Sequence, residues 1–231
     1  MKFLIDDTRK IIFGWSAKSG CSHVKKIYKF LMNQSGDVHD VLSHKLPNDI
    51  EKYTTFLFCR NPYKRLVSGF LEKYNESGTC RSLWKYKTIT FSDFVDELLT
   101  NTYKMVEFGH FIPQLSEHFN LSILKSKLYI YDIEHIDYST LEKIYAISIP
   151  QEIIHFRGGH ERKKYRVKFT GNSVYQLDMK LYYEYDVDLN KFYNKTIKQK
   201  VYQFYKNDFK FFNQFKYDVD TVDINLKKLQ Y

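Results

Sequence analysis

Apolar residues fall along this chain alternately in short continuous runs and in helical stripes. Lys10-Ile-Ile-Phe-Gly-Trp15 is a short apolar run that ends in a Gly/Ser-rich turn, the pattern of a buried strand. Beyond the turn, Val24, Ile27, Tyr28 and Leu31 recur at i, i+3, i+4 and i+7, which is one face of a helix. A second strand is expected within residues 38–42. Thr54-Thr-Phe-Leu-Phe-Cys59 shows no polar alternation after its first residues and is expected to be a strand buried on both faces. The helix after it is the best marked: Asn61 can serve as N-cap and Pro62 suits the first helical position. Tyr63, Leu66, Val67, Phe70, Leu71 and Tyr74 then form one apolar stripe.

Further helices are expected at about residues 92–99, at 139–146, and from 195 to about 212, with another core strand at residues 127–131. Alternation of strands and helices predicts an α/β fold of three layers, a central parallel sheet flanked by helices and joined by right-handed crossovers. No internal repeat, low-complexity tract or linker interrupts the chain, so a single domain over residues 1–231 is expected. Residues 151–190 are basic at first and then rich in Tyr and Asp; they are expected to cover the acceptor or cofactor.

Composition narrows the picture only in part. With 231 residues the chain can bury a substantial core, and 43% apolar with 27% charged residues is the balance of an ordinary soluble protein. A net charge of +9 suggests an anionic ligand but does not separate nucleotide, nucleic acid, acidic glycan and membrane surface. No window of 18 or more apolar residues exists, so no transmembrane helix is expected. Residues 1–7 are too short and too acidic for a secretory signal. Cys21, Cys59 and Cys80 match neither a zinc spacing nor a disulfide framework, so a reducing cytoplasm is expected. The 20 Tyr and 19 Phe fit either a compositional bias or stacking on sugar faces.

Two motifs carry chemistry. Trp15-Ser-Ala-Lys-Ser-Gly-Cys-Ser22 lies between a strand and a helix, where turn amides and the helix N-terminus can face a phosphate. Gly20 permits close backbone approach, Lys18 adds a mobile charge, and Ser19 and Ser22 add hydroxyl donors. The plain alternative is a surface loop with a solvated lysine. It is not a Walker A loop, because Lys18 precedes Gly20 by two residues instead of following a glycine directly. The second motif is Phe58-Cys-Arg-Asn-Pro-Tyr-Lys-Arg-Leu-Val-Ser-Gly-Phe-Leu71. Arg60 ends the buried strand, and Ser68 lies eight residues on, about two turns into the helix, with Lys64 and Arg65 between. An arginine and a hydroxyl so placed can grip one phosphate. The alternative is an arginine capping a strand end and a serine bonded to its own helix.

At these residues the chain resembles the PAPS-dependent sulfotransferases, PAPS being 3′-phosphoadenosine 5′-phosphosulfate. Lys-Ser-Gly-Cys-Ser is similar to their 5′-phosphosulfate loop, Pro-Lys-x-Gly-x-Thr, with Ala17 in place of the proline. Arg-Asn-Pro-Tyr-x-Arg-Leu-Val-Ser is similar to their 3′-phosphate motif. Gly109-His-Phe-Ile-Pro-Gln114 and the stretch from Tyr202 to Phe212 resemble the His-x-x-Pro-Gln and Tyr-x-x-Asp-Phe-x-x-Phe segments of the Golgi carbohydrate branch. The four matches, in family order, span residues 10–215. The anchor and stem of the Golgi enzymes are not matched, which again places the expected site of action in the cytoplasm.

The resemblance implies transfer of a sulfuryl group from PAPS to an acceptor hydroxyl, on a glycan by the carbohydrate-type motifs, leaving 3′-phosphoadenosine 5′-phosphate. It implies Lys18 at the leaving group with Ser19, Gly20, Cys21 and Ser22 on the 5′ side, and Arg60 and Ser68 on the 3′-phosphate. No metal, no nucleic acid and no membrane span are expected. The base that accepts the hydroxyl proton is expected among eight histidines. His44, in Leu42-Ser-His-Lys-Leu-Pro47, precedes the arginine-bearing strand and resembles the Thr-His-Leu-Pro context of the cytosolic branch. His39 is a near rival, and His110 a third. Arg157, beside the basic residues Lys163, Lys164 and Arg166, is a candidate for a late loop over the 3′-phosphate, or a solvated basic loop. The competing readings are a nucleotide- or polynucleotide-binding protein without sulfuryl transfer and a kinase; the first predicts salt-sensitive binding to any polynucleotide.

Overall fold

The computed structural model describes residues 1–74, 89–101, 107–115, 126–156, 167–168, 170–171, 174–178, 185–211 and 229–230. In chain order its strands are β1 (Lys2–Asp6), β2 (Ile11–Trp15), β3 (Thr54–Cys59), β4 (Lys127–Asp132), β5 (Val167–Lys168), β6 (Tyr185–Asp186) and β7 (Leu229–Gln230). The helices are α1 (Cys21–Leu31), α2 (Pro62–Lys73), α3 (Phe91–Asn101), α4 (Ser139–Tyr145), α5 (Gln151–Ile154), α6 (Lys195–Phe204) and α7 (Lys206–Phe211). The described residues within Met1–Arg60, Gln114–Glu161 and Asn225–Tyr231 form one compact unit; those within Asn61–Pro113 and Arg162–Ile224 form a second.

The first unit is built on a sheet of order β1-β2-β3-β4-β7. Its centre is parallel, with Phe13 beside Phe56 and Phe56 beside Tyr129, while β1 and β7 run antiparallel at the edges. Period-2 alternation sends Ile11, Phe13, Trp15, Phe56, Phe58, Tyr129 and Tyr131 to one face. There they pack with Val24, Ile27, Tyr28 and Leu31 of α1 and with Leu141 and Tyr145 of α4. Ile12, Leu57, Leu128 and Ile130 point to the other face and are equally buried. Burial on both faces explains why β3 reads as an unbroken apolar run. Rings line up across the strands, Phe56 stacking on Tyr129 at 5.0 Å and Phe13 on Phe58 at 6.3 Å between centroids.

The second unit has its own core of Tyr63, Leu66, Phe70, Tyr74, Phe91, Phe94, Phe111, Phe192, Tyr193, Val201, Tyr205 and Phe209. Asn61 caps α2 by accepting from the amides of Tyr63 and Lys64, and Pro62 opens the helix, as the sequence predicts. Much of the aromatic surplus is therefore core material. Each ring so buried contributes on the order of 1.5–3 kcal/mol relative to exposure.

Several expectations need correction. Residues 38–42 do not form a strand: Val38–Asp40 is a 3₁₀ turn capped by Asp37, whose carboxylate accepts from the His39 amide at 2.7 Å. The Asx turn wins because only Val38 there is buried, while Leu42 is 76% exposed. The place beside β2 belongs instead to β1, so the sheet is parallel only at its centre. The helix expected from 195 to about 212 is broken at Tyr205, whose hydroxyl is held by the carbonyl of Phe111. Residue 212, most of the segment 157–184, and with it Arg157 and the basic residues at 163, 164 and 166, lie outside the described residues.

Candidate functional site

The carboxyl ends of β2, β3 and β4 carry the chemistry-bearing loops of the first unit, the edge of a parallel sheet where ligands collect. β2 runs into the turn that holds Lys18 and then into α1. Gly20 is the N-cap of α1 with φ 69° and ψ 33°, and no side chain caps the helix. Lys18 also has positive φ, 65°. Two left-handed residues within three positions curl the backbone, a conformation that turns amides toward an anion. The first intrahelical bond runs from the Val24 amide to the Gly20 carbonyl, and Cys21 and Ser22 stand at the helix start, where amides face outward. Lys18 and Cys21 are half-buried, and Ser22 is buried.

β3 delivers Arg60. Its Nε donates to Glu134 Oε1 at 3.0 Å, just after β4, and the pair is partly exposed. The Glu134 amide in turn donates to Asp132 Oδ1 at 3.0 Å, at the end of β4. Neighbouring Ile133 packs against Gly20. The segment after β4 therefore touches both the loop and the arginine.

One buried side chain joins these two motifs. Gln114 Oε1 accepts from the Ser19 hydroxyl at 2.6 Å and from the Arg60 amide at 2.9 Å. Gln114 Nε2 donates to the Arg60 carbonyl at 2.8 Å. Ser19 and Gln114 are both fully buried. The His-x-x-Pro-Gln motif flagged this position in the sequence, but nothing local to it names Ser19 or Arg60 as its partners.

The second unit holds the rest of that motif. Phe108–His110 is a 3₁₀ turn entered through Glu107 at φ 62°. Arg65, 1% exposed, donates from Nη1 to the Ile112 carbonyl at 2.8 Å and from Nη2 to the His110 carbonyl at 3.1 Å. Its guanidinium lies 6.0 Å from the Tyr205 ring centroid. Arg65 thus braces the turn from inside the core. His110 Nδ1 meets Glu107 Oε2 at 2.8 Å, and Lys73 meets the same carboxylate at 3.7 Å. Burial pushes the His110 imidazole below its ordinary range and Lys73 pushes the same way, against the opposing pull of Glu107. Ser68 is half-buried on α2.

His44 lies in the first unit, its amide donating to the Phe3 carbonyl at 2.8 Å. Phe3 pairs with Gly14, near the carboxyl end of β2. Two strand spacings put the His44 backbone roughly 10 Å from β2, on the loop's side of the sheet. His44 and His39 are both exposed. His23 is a different case: buried in α1, it places Nδ1 at 2.9 Å from the Phe156 carbonyl and Nε2 at 2.7 Å from the Tyr138 hydroxyl.

A mostly parallel α/β sheet with a glycine-bearing turn after one strand and an arginine after the next is the open-sheet architecture in which ligands bind at the carboxyl ends of the strands. Comparison with family models narrows it: the sulfotransferase family model matches residues 1–218, and the chain belongs to the sulfotransferase family. No curated protein and no solved structure matches it. Among the described residues, no helix is long and apolar enough to cross a membrane.

Proposed function

We propose that this member of the family moves a sulfuryl group from PAPS to an acceptor hydroxyl of a carbohydrate, with 3′-phosphoadenosine 5′-phosphate as the nucleotide product. The observation that carries the reading is the junction of the Lys18 loop with Arg60 through Gln114, at the ends of adjacent strands. That arrangement brings the Lys18 loop and Arg60 to the ends of adjacent strands, and in this reading a ligand with two phosphates uses both cations.

In this reading Lys18 and the amides at Gly20, Cys21 and Ser22 receive the 5′-phosphosulfate, and Lys18 stabilises charge as it builds on the leaving phosphate oxygen. Arg60 holds the 3′-phosphate. With Nε committed to Glu134, its Nη edge remains the fork for the phosphate oxygens. Ser68, by its place in the same sequence motif, joins Arg60 in that role. His44 is the proposed base, supported by its position at the loop end of the sheet. His110 is the second candidate; its lowered pKa keeps the imidazole neutral, as a base must be, at pH 7. The carbohydrate acceptor rests on the His-x-x-Pro-Gln and closing-helix motifs.

Calorimetric titration of 3′-phosphoadenosine 5′-phosphate into the wild type and Arg60→Ala, with AMP as control, tests the reading. Micromolar binding that needs the 3′-phosphate and is lost in the variant is expected. Acceptor screening with labelled PAPS follows from that result. Absence of binding, or equal binding of AMP, overturns the reading and favours a polynucleotide-binding protein.

A further inference from the structure

The hydrogen atoms of the Ser19–Gln114–Arg60 junction can be assigned from geometry alone. Gln114 meets the Arg60 peptide on both sides, one contact with the amide at 2.9 Å and one with the carbonyl at 2.8 Å. An amide N–H requires an oxygen and a carbonyl requires a donor, so the Gln114 side chain has one permitted orientation. Its oxygen faces Arg60 N and its nitrogen faces Arg60 O, the pairing a neighbouring strand would make. The same oxygen lies 2.6 Å from Ser19 Oγ. An amide oxygen only accepts, so the Ser19 hydroxyl hydrogen is directed at Gln114. The Ser16 hydroxyl, 2.9 Å from Ser19 Oγ, must then donate to it. The Ser19 amide is engaged as well, donating to the Ser16 carbonyl at 3.1 Å.

Both hydrogens of Ser19 are therefore committed inside the protein. We infer that Ser19 is a positioning residue instead of a phosphate ligand, and that Ser19 and Gln114 lock the 5′-side loop to Arg60 so that a nucleotide is read as a bisphosphate of fixed span. This inference rests on the nucleotide reading above and adds the device that makes its two phosphate subsites one receptor. The physical benefit is preorganisation. Without the lock, each phosphate can still be held by its own half of the site, but the second must first order its partner. The lock therefore acts on the preference for two phosphates and leaves the affinity for either one nearly unchanged.

The test measures 3′-phosphoadenosine 5′-phosphate, AMP and adenosine 3′-monophosphate by calorimetry against the wild type, Ser19→Ala and Gln114→Met, with melting temperatures alongside. Ser19→Ala removes one hydroxyl from a buried site and keeps the proposal testable where Gln114→Met fails to fold. The expected result is a loss of roughly tenfold in affinity for the bisphosphate, with either monophosphate changed less than about threefold. Ser19→Ala weakening AMP as much as the bisphosphate would mark Ser19 as a direct ligand and overturn the inference. Retention of the full wild-type preference by Ser19→Ala would overturn it too. Failure of the wild type itself to prefer the bisphosphate over AMP overturns the nucleotide reading, and the wild-type titrations alone report that outcome.

Discussion

Ile133 fills the space that a side chain at Gly20 would need. An ideal Cβ on Gly20 would stand 2.2 Å from Cγ1 and 2.5 Å from Cδ1 of Ile133, at a backbone φ of +69°. The loop after β2 and the loop after β4 thus meet at a residue whose missing side chain lets them close. Gly20→Ala is expected to cost about 2–4 kcal/mol of stability, from left-handed backbone strain together with overpacking. Adding Ile133→Ala should relieve the overpacking and leave the backbone part, so the double variant should be more stable than Gly20→Ala. Urea unfolding of the three proteins measures this; no relief from the second substitution would show that the contact is not the source of the cost.

Arg65 is a buried charge whose two carbonyl partners, Ile112 and His110, lie in the turn of the His-x-x-Pro-Gln motif. Arg65→Met is expected to destabilise the protein by about 3 kcal/mol, because two carbonyls lose their donors inside the core. Arg65→Lys should recover little, since a single ammonium cannot reproduce the fork. Thermal unfolding of both variants is the check, and near-wild-type stability of Arg65→Lys would contradict the two-point brace.

His110 titrates below its ordinary pKa of 6.5, first through burial and then through Lys73. The folded state therefore binds fewer protons than the unfolded state in the window just below pH 6.5. Stability contributed by neutral His110 is present above that window and declines as pH falls through it. Glu107→Gln should lower the His110 pKa further, and Lys73→Gln should raise it. NMR titration of the imidazole reads both shifts, and opposite signs would show that the Glu107 and Lys73 contacts are not those that set it.

Tyr145 donates to Asp6 Oδ2 at 2.8 Å, and Asp6 has no exposed surface. Arg9 adds its amide at 3.0 Å and its guanidinium at 3.5 Å to the same carboxylate. Burial and then Asp6 hold the phenol protonated well above its ordinary value of 10.0. The unfolded chain ionises first, so stability should fall as pH rises beyond about 10. Tyr145→Phe should make that alkaline slope shallower, with Tyr193 and Tyr205, whose phenols burial also pushes up, keeping the remainder, and should cost about 1–2 kcal/mol at neutral pH. A pH series of denaturant midpoints for wild type and variant decides it.

Lys18 is the leaving-group residue of the proposed reaction. Lys18→Met is expected to lower kcat by about 10²–10³ while changing affinity for 3′-phosphoadenosine 5′-phosphate by less than about tenfold. Steady-state sulfuryl transfer and calorimetry on one preparation separate the two effects. Equal loss of binding and turnover would instead make Lys18 a binding residue.

Features written in neighbouring residues were legible from the chain alone. The apolar run from Thr54 to Cys59, the Asn61 cap with Pro62 behind it, and the stripe on α2 are each recorded in the types of residues a few positions apart. Local pattern therefore reveals them, even where remote segments supply the burial. The phosphate-type loop and the Arg60–Ser68 interval were visible for the same reason. Other features depend on where distant segments come to rest. β1 became the sheet edge because its backbone pairs with β2, while residues 38–40, expected as strand, form a 3₁₀ turn capped by Asp37. Tyr205 interrupts the helical stripe with φ −100° and ψ 22°, and its hydroxyl reaches Phe111, 94 positions earlier. Arg65, read beside Arg60 in one motif, turned inward to hold carbonyls of another. Ser19 and Gln114 meet across 95 positions, and no periodicity records such a pairing. Sequence determined most of the segments that are strand and helix, and the glycine-bearing turn between β2 and α1. Tertiary structure decided which polar groups are engaged with one another inside the fold, because a hydrogen bond between remote residues exists only once the chain has brought them together.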